Sequence, residues 1–270
     1  MPGELAGITD EAAHDLPAQL RVLAELGWSR IELRSVDRTP VAELSDRAFD
    51  RVAKSLSDNG VHAVCLASRI GGWSRSITYP LELELAELDV LGRRCGDLGT
   101  RFVRIMSCPN EGLGEQAWRD RVIGRITLFA TRAAELGVVL VLENCSGWAG
   151  TSGARILDLV ESVDSPALRV LFDTGNGVAH GYDGYALLRQ VLPHVAHVHV
   201  KDAIGSRFVL PGTGDARVAD CMELLRDKGY RGDWSLEPHL GLVPHEPGEL
   251  AEDAAASFVA AGRAMAGLLG

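Results

Sequence analysis

Val138-Val139-Leu140-Val141-Leu142-Glu143-Asn144 is a dry, largely β-branched run that ends on a carboxylate. Gly137 precedes it, and a Gly- and Ser-rich stretch, residues 146–153, follows it. A short apolar run between such punctuators reads as a strand of a parallel sheet, buried on both faces. A charge at the last position of a buried strand is costly unless it has a partner. The same pattern recurs in Arg169-Val170-Leu171-Phe172-Asp173 and in Trp234-Ser235-Leu236-Glu237, with His197-Val198-His199-Val200-Lys201 between them.

Outward from this run the chain keeps one beat. Strand patterns are expected at 5–9, 29–34, 61–67, 102–106, 138–143, 168–173, 194–200 and 234–237. Helical spacing of apolar residues fills 12–26, 46–59, 82–98, 115–136, 154–163, 185–192, 218–228 and 249–269. Ser45 caps the start of the second helix, with Gly60 at its end; Gly27, Gly99, Gly137 and Gly229 close others. Strict alternation of strand and helix requires a parallel sheet. Eight such units within 270 residues make an α/β (β/α)8 TIM barrel the economical solution, ahead of a doubly wound open sheet. No linker, repeat or low-complexity segment interrupts the pattern, so residues 1–270 are expected to form a single domain.

Composition narrows the function. Hydrophobic residues make up 46% of the chain and the formal net charge is −10. An acidic balance removes the usual electrostatic footprint of a phosphate-backbone binder, so no nucleic-acid partner is expected. There is no run of 18 apolar residues and no signal-peptide pattern at the start. A soluble, cytoplasmic protein without a membrane partner is the expectation. Cys65, Cys95, Cys108, Cys145 and Cys221 are scattered, odd in number and form no CxxC. They read as reduced thiols rather than a disulfide framework or a zinc knuckle.

In a barrel of this kind the active site lies at the C-terminal ends of the strands. Glu143, Asp173, His199 and Glu237 end strands five to eight and converge on one mouth. Taken singly, each has a structural reading: Asp173 as a helix cap, Glu143 and Glu237 as ion-pair partners, His197 as a hydrogen-bonded core residue. Together they make three crowded carboxylates, which would raise one another's pKa, and a divalent cation removes that conflict. One imidazole with three carboxylates suits Mn2+ or Mg2+ first, with Co2+, Fe2+ or Zn2+ as alternatives.

The strings Leu-Glu-Asn at 142–144, Phe-Asp-Thr-Gly-Asn at 172–176, His-Val-His-Val-Lys-Asp at 197–202, Pro-Gly-Thr-Gly-Asp at 211–215 and Ser-Leu-Glu-Pro-His at 235–239 resemble the xylose isomerase-like TIM barrel superfamily. That superfamily includes sugar isomerases and 3-epimerases, hydroxypyruvate isomerase, inosose dehydratase and the apurinic endonuclease IV group. The resemblance implies a metal held by Glu143, Asp173, His199 and Glu237. It further implies Glu143 and Glu237 as the acid/base pair, moving a proton next to a carbonyl through an enediolate that the metal stabilises. Many relatives carry a His three positions after the ligand Asp, where this chain has Asn176. The endonucleases need several more histidines, but the corresponding positions here hold Asn176, Arg217 and the His-free strand 102–106. In the epimerases an Arg after the strand-seven His touches substrate hydroxyls, a part open to Arg217.

Other residues complete the expected site. His197, His199 and Lys201 share a strand face, with Lys201 at the rim. There Lys201 either meets a substrate oxygen or forms a salt bridge with Asp202 or Asp215. His239 is a substrate contact or a solvated loop residue. Glu32 points inward or pairs with an Arg. Trp73 could wall a sugar ring, with Trp148 as a second candidate, or either could serve packing. No GxGxxG follows the first strand, and neither GxxxxGK[ST] nor GxSxG occurs. Two carboxylates alone would also suit a glycosidase, but the added Asp and His favour metal chemistry. The expectation is a divalent-metal-dependent sugar or polyol isomerase or epimerase, for which a homo-dimer or homo-tetramer is compatible. A metal-dependent keto-inositol dehydratase and a catalytically inactive sugar-binding barrel are the alternatives.

Overall fold

The computed structural model describes residues 3–242 and 249–269. Eight strands, β1 Leu5–Gly7, β2 Arg30–Leu33, β3 His62–Ala67, β4 Phe102–Ser107, β5 Val139–Gly147, β6 Leu168–Asp173, β7 Val195–Val200 and β8 Trp234–Leu236, form a closed barrel. Neighbouring strands pair in parallel, and Leu5 opposite Trp234 closes the ring. The expected (β/α)8 barrel is therefore the fold.

The surrounding helices are α1 Leu16–Leu26, α2 Asp46–Asp58, α3 Leu81–Leu98, α4 Glu115–Leu136, α5 Gly153–Val163, α6 Asn176–His180, α7 Gly184–Val191, α8 Val218–Asp227 and α9 Ala254–Leu269. Ser45 caps α2 by accepting from the Ala48 amide, as its sequence position implies. α1 starts later than the apolar spacing suggests, because Asp15 takes the cap and Thr9–Glu11 winds into a separate 3-10 turn. α9 also starts late. Ala251 donates to the Gly241 carbonyl and Leu250 bridges Leu242, so these residues pair with a loop instead of opening the helix.

β5 does not stop at Glu143; it continues to Gly147. A register shift lets Gly147 pair with Ser107, after which the Trp148 amide bonds the Ser107 carbonyl. Gly147 adopts φ 89°, and a Cβ there would stand 2.3 Å from the Ser107 carbonyl carbon. Only glycine can carry the strand past this point.

Side chains inside the barrel follow the period of two. Ala6, Val64, Cys65, Val141 and Leu171, with Phe102 and Ala196 against them, make an apolar floor. One step toward the strand ends, the inward positions become charged: Arg104 above Phe102, Glu143 above Val141, Asp173 above Leu171. A second, larger apolar cluster fills the space between the strands and the helices.

The loop after β3 is fixed by buried ions. Glu84 accepts from the Gly71 amide at 2.7 Å and from Arg125 at 2.7 Å, while Arg75 meets Glu87 at 2.5 Å. This network holds the loop that carries Trp73, whose own side chain is 63% exposed at the barrel mouth.

Candidate functional site

Glu143, Asp173, His199 and Glu237 are all buried, and each offers a ligand atom that lies within 4.8 Å of the others. Glu143 lies within β5, Asp173 and His199 lie at or next to the ends of β6 and β7, and Glu237 follows β8. Asn144 locks the first two strands together: its amide donates to the Asp173 carbonyl at 3.0 Å and accepts from the Asp173 amide at 2.6 Å.

Asp173 makes the helix-start bonds that its position suggests. Oδ1 accepts from the Gly175 and Asn176 amides at 2.9 and 2.8 Å and so begins α6. Oδ2 is buried and has no hydrogen bond, and the same is true of His199 Nδ1. The other nitrogen of His199, Nε2, sits 3.0 Å from Glu32 Oε1. With that Nε2–H donated to Glu32, Nδ1 is the nitrogen that faces the cluster. Neither atom makes a directed hydrogen bond, and the charges nearest to them are the Lys201 ammonium, 3.1 Å from Asp173 Oδ2, and Glu237 Oε2, 3.2 Å from His199 Nδ1. Three carboxylates with one imidazole are a donor set for a divalent ion, and these residues fit one.

Lys201 is not at the rim. It is 1% exposed. Its Nζ lies 2.9 Å from Glu237 Oε2, 3.1 Å from Asp173 Oδ2 and 3.2 Å from His239 Nε2. The expected salt bridges to Asp202 or Asp215 do not form, because Asp202 instead accepts from the Ala203, Gly212, Gly214 and Ala216 amides. Asn176 bridges the same charges, donating to Glu143 Oε1 at 3.0 Å and standing 3.4 Å from Lys201 Nζ.

Glu32 pairs with neither Arg34 nor another arginine. It sits between His197 Nε2 at 2.7 Å and His199. His197 also meets the Ser235 hydroxyl at 3.1 Å and is the buried, hydrogen-bonded core residue that its position suggests. Arg34 turns into the mouth, where it holds Glu237 at 3.0 Å, Asp10 at 2.9 Å and Glu11 at 3.1 Å. His239 is part of the site, not a free loop residue: Nδ1 is 2.6 Å from Glu11 and its ring is edge-on to Phe208.

The electrostatics are asymmetric. Burial pushes the Glu143 carboxyl up, and Arg104 only partly offsets it. Burial also acts against the Glu237 carboxylate, but Lys201 and His239 pull it well below the usual range. Burial opposes the charge on Lys201, yet Asp173 and Glu237 hold its ammonium well above the ordinary value. His199 is raised in the same way, burial being outweighed by Glu32 and Glu237.

A cavity of about 290 Å³ opens over this cluster, and Arg34, Arg104, Glu143, Lys201, Glu237 and His239 line it. Trp73 forms part of its wall, with its ring 5.5 Å from His180. Trp148 is buried and spends its indole N–H on Glu115. Arg217 is not brought to the cavity. It has a left-handed backbone (φ 54°), bonds Asp220 and lays its guanidinium 3.9 Å over the Tyr185 ring, which takes it away from the expected substrate position. A larger depression of about 940 Å³ lies at the opposite end of the barrel, around Leu5, Trp28 and Trp234. It lacks the carboxylate and imidazole cluster of the smaller cavity. Sequence reading missed Arg34, Arg104, His180 and Phe208. The period-two pattern of β4 was the available signal for Arg104.

A family model described as Xylose isomerase-like TIM barrel matches residues 20–260. The chain belongs to that family. An inosose dehydratase from Clostridium perfringens is 27% identical over 139 residues, which cover 44% of this chain and 46% of that protein. The chain thus spans about half the length of the curated relatives it matches. Among solved structures, the IOLI protein with a bound zinc atom superposes with a TM-score of 0.78 at 17% identity, covering 98% of each chain. An L-ribulose 3-epimerase superposes with a TM-score of 0.75 at 20% identity, covering 98% of this chain and 94% of its own. At these identities the structural likeness speaks for the fold alone. Among the described residues, no helix is long and apolar enough to cross a membrane.

Proposed function

We propose that this barrel is a divalent-metal-dependent enzyme that moves a proton next to the carbonyl of a sugar or polyol ketone, as an isomerase or epimerase. The observation that carries the reading is the buried cluster of Glu143, Asp173, His199 and Glu237, whose ligand atoms lie within 4.8 Å of one another and in which Asp173 Oδ2 and His199 Nδ1 make no directed hydrogen bond. Glu143, Asp173, His199 and Glu237 would hold the ion. When bound, the cation supplies positive charge that polarises the substrate carbonyl.

The chain's own residues then divide the work. Glu237, kept ionised by Lys201 and Arg34, accepts the proton from the carbon beside the carbonyl. The C–H pair becomes a C=C bond and the carbonyl pair moves onto oxygen, which leaves an enediolate. Glu143, protonated at the start of the cycle, delivers that proton to complete the change. Glu143 lies on β5 and Glu237 just past β8, with two strands between them, so they would reach a bound substrate from different sides. Lys201 and His239 orient substrate oxygens, and Trp73 excludes water over the ring.

A second reading rests on Lys201. A buried ammonium beside the base can protonate a departing hydroxyl, so that the enediolate stage ends in loss of water. The reaction would then be dehydration of a keto-inositol-like substrate, the activity named for the inosose dehydratase relatives.

One experiment separates these outcomes. The purified protein is loaded with Mn2+, assayed for metal content and incubated in D2O with ketoses and inososes. Deuterium wash-in with retained mass formula supports the isomerase or epimerase, and loss of water selects the dehydratase. If the protein takes up no divalent ion, or EDTA leaves its activity unchanged, the proposal fails.

A further inference from the structure

We propose that Arg104 is a substrate-binding residue whose guanidinium donates to the substrate oxygen that gains charge as the enediolate forms. The inference rests on the proposed function above and deepens it.

Arg104 is an inward residue of β4, two positions beyond Phe102 of the apolar floor, and lines the cavity over Glu143. Its side chain is 9% exposed. Nε is buried with no hydrogen-bond partner. Its one ionic neighbour is Glu143 Oε2, at 3.5 Å. Arginines buried for structural pairing make short, directed bonds, and this chain has several. Arg125 meets Glu84 at 2.7 Å, Arg75 meets Glu87 at 2.5 Å, and Arg34 meets Glu237 at 3.0 Å. Beside these three Arg104 is loosely paired, and it faces the cavity. A guanidinium offers five N–H donors in a planar fork. With Nε unpartnered and only a long contact to Glu143, most of that fork is free for a ligand oxygen.

Charge balance decides which ligand. Glu32, Glu143, Asp173, Glu237 and the adjoining Asp10 and Glu11 gather at this end of the barrel against the cations Arg34, Arg104 and Lys201. A divalent ion brings the set close to neutrality, leaving no surplus positive charge for a substrate with a permanent anionic group. The fitting substrate is a neutral polyhydroxy ketone, and the negative charge Arg104 meets is the one that develops during proton transfer. Donors set where charge develops act on the transition state more than on the ground state.

The test uses two ligands on the Mn2+-loaded full chain, with binding measured by calorimetry. Threonohydroxamate, a planar mimic of an enediolate, is compared with neutral xylitol. In R104M the hydroxamate should bind about 10- to 100-fold more weakly, the range for losing a hydrogen bond to a charged group. Xylitol should change less than about threefold, and bound Mn2+ should stay constant. R104K, which keeps the charge but not the fork, should fall between wild type and R104M, and it carries the test if R104M does not fold. Equal weakening of both ligands, or no weakening, overturns the proposal. So does joint loss of hydroxamate and Mn2+, which would mean that Arg104 acts only through Glu143. If wild type takes up Mn2+ but does not bind the hydroxamate, the role of Arg104 falls while the metal reading stands. If wild type takes up no Mn2+, the proposed function itself falls, and this inference with it.

Discussion

Glu32 Oε1 and His199 Nε2 stand 3.0 Å apart in the barrel interior, and both side chains are fully buried. A carboxylate behind the far nitrogen of a ligand histidine fixes its tautomer and raises its basicity. Glu32→Gln should therefore lower affinity for Mn2+ by about 10- to 100-fold with little change in fold. Metal titration followed by calorimetry checks this. Unchanged affinity would show that the pair serves only packing.

Lys201 neutralises Asp173 and Glu237 when no metal is present. Lys201→Met should cost about 3–5 kcal/mol of stability in EDTA, the usual cost of breaking a buried ion pair from one side. Added Mn2+ should recover much of that loss, because it replaces the missing positive charge. Urea unfolding with and without Mn2+ reads the difference. Equal losses under both conditions would argue against a cation site at these carboxylates.

Two glycines give opposite signs. Gly147→Ala places a Cβ 2.3 Å from the Ser107 carbonyl carbon at φ 89° and should destabilise the barrel by more than about 1 kcal/mol. Gly124→Ala lies on an exposed turn of α4 with open space around it and should stabilise by about 0.5–1 kcal/mol. Thermal or urea midpoints of the two variants test the pair, and a shared sign would be the contrary result.

The five thiols are buried. Burial pushes Cys95, Cys108 and Cys221 up to about 12, from an ordinary value of 9.0. The native protein should react with almost none of an aromatic disulfide reagent at pH 8, and with all five thiols once unfolded. Folded thiols keep protons that unfolded ones release, so above pH 9 the folded state binds more of them. Their contribution to stability is full below pH 9 and falls as the pH climbs toward 12. A denaturation midpoint flat through that window would contradict the assignment.

The strand ends were legible because a charge that terminates a dry run has few explanations, and Glu143, Asp173, His199 and Glu237 meet in one place. Arg34 and Arg104 were not legible, because an arginine alternating with apolar residues also fits a strand whose polar face meets solvent. Only closure of the barrel turns that face inward. Lys201 was misplaced for a related reason. Its position in the strand fits a rim as well as a pocket, and the difference comes from Asp202 being taken up by backbone amides of the following loop. α6 spans five residues, too few for a periodic signal, and its start depends on Asp173 accepting from the Gly175 and Asn176 amides.

The apolar floor of Ala6, Val64, Cys65, Val141 and Leu171 seals the barrel below the charged layer. Among the described residues, the cavity above that layer is walled in part by Trp73 and His180. Under the proposed function, substrate and product would share that cavity, so product would have to leave before the next molecule enters. A compound lodged there should compete with both, giving the same competitive pattern in the forward and reverse directions.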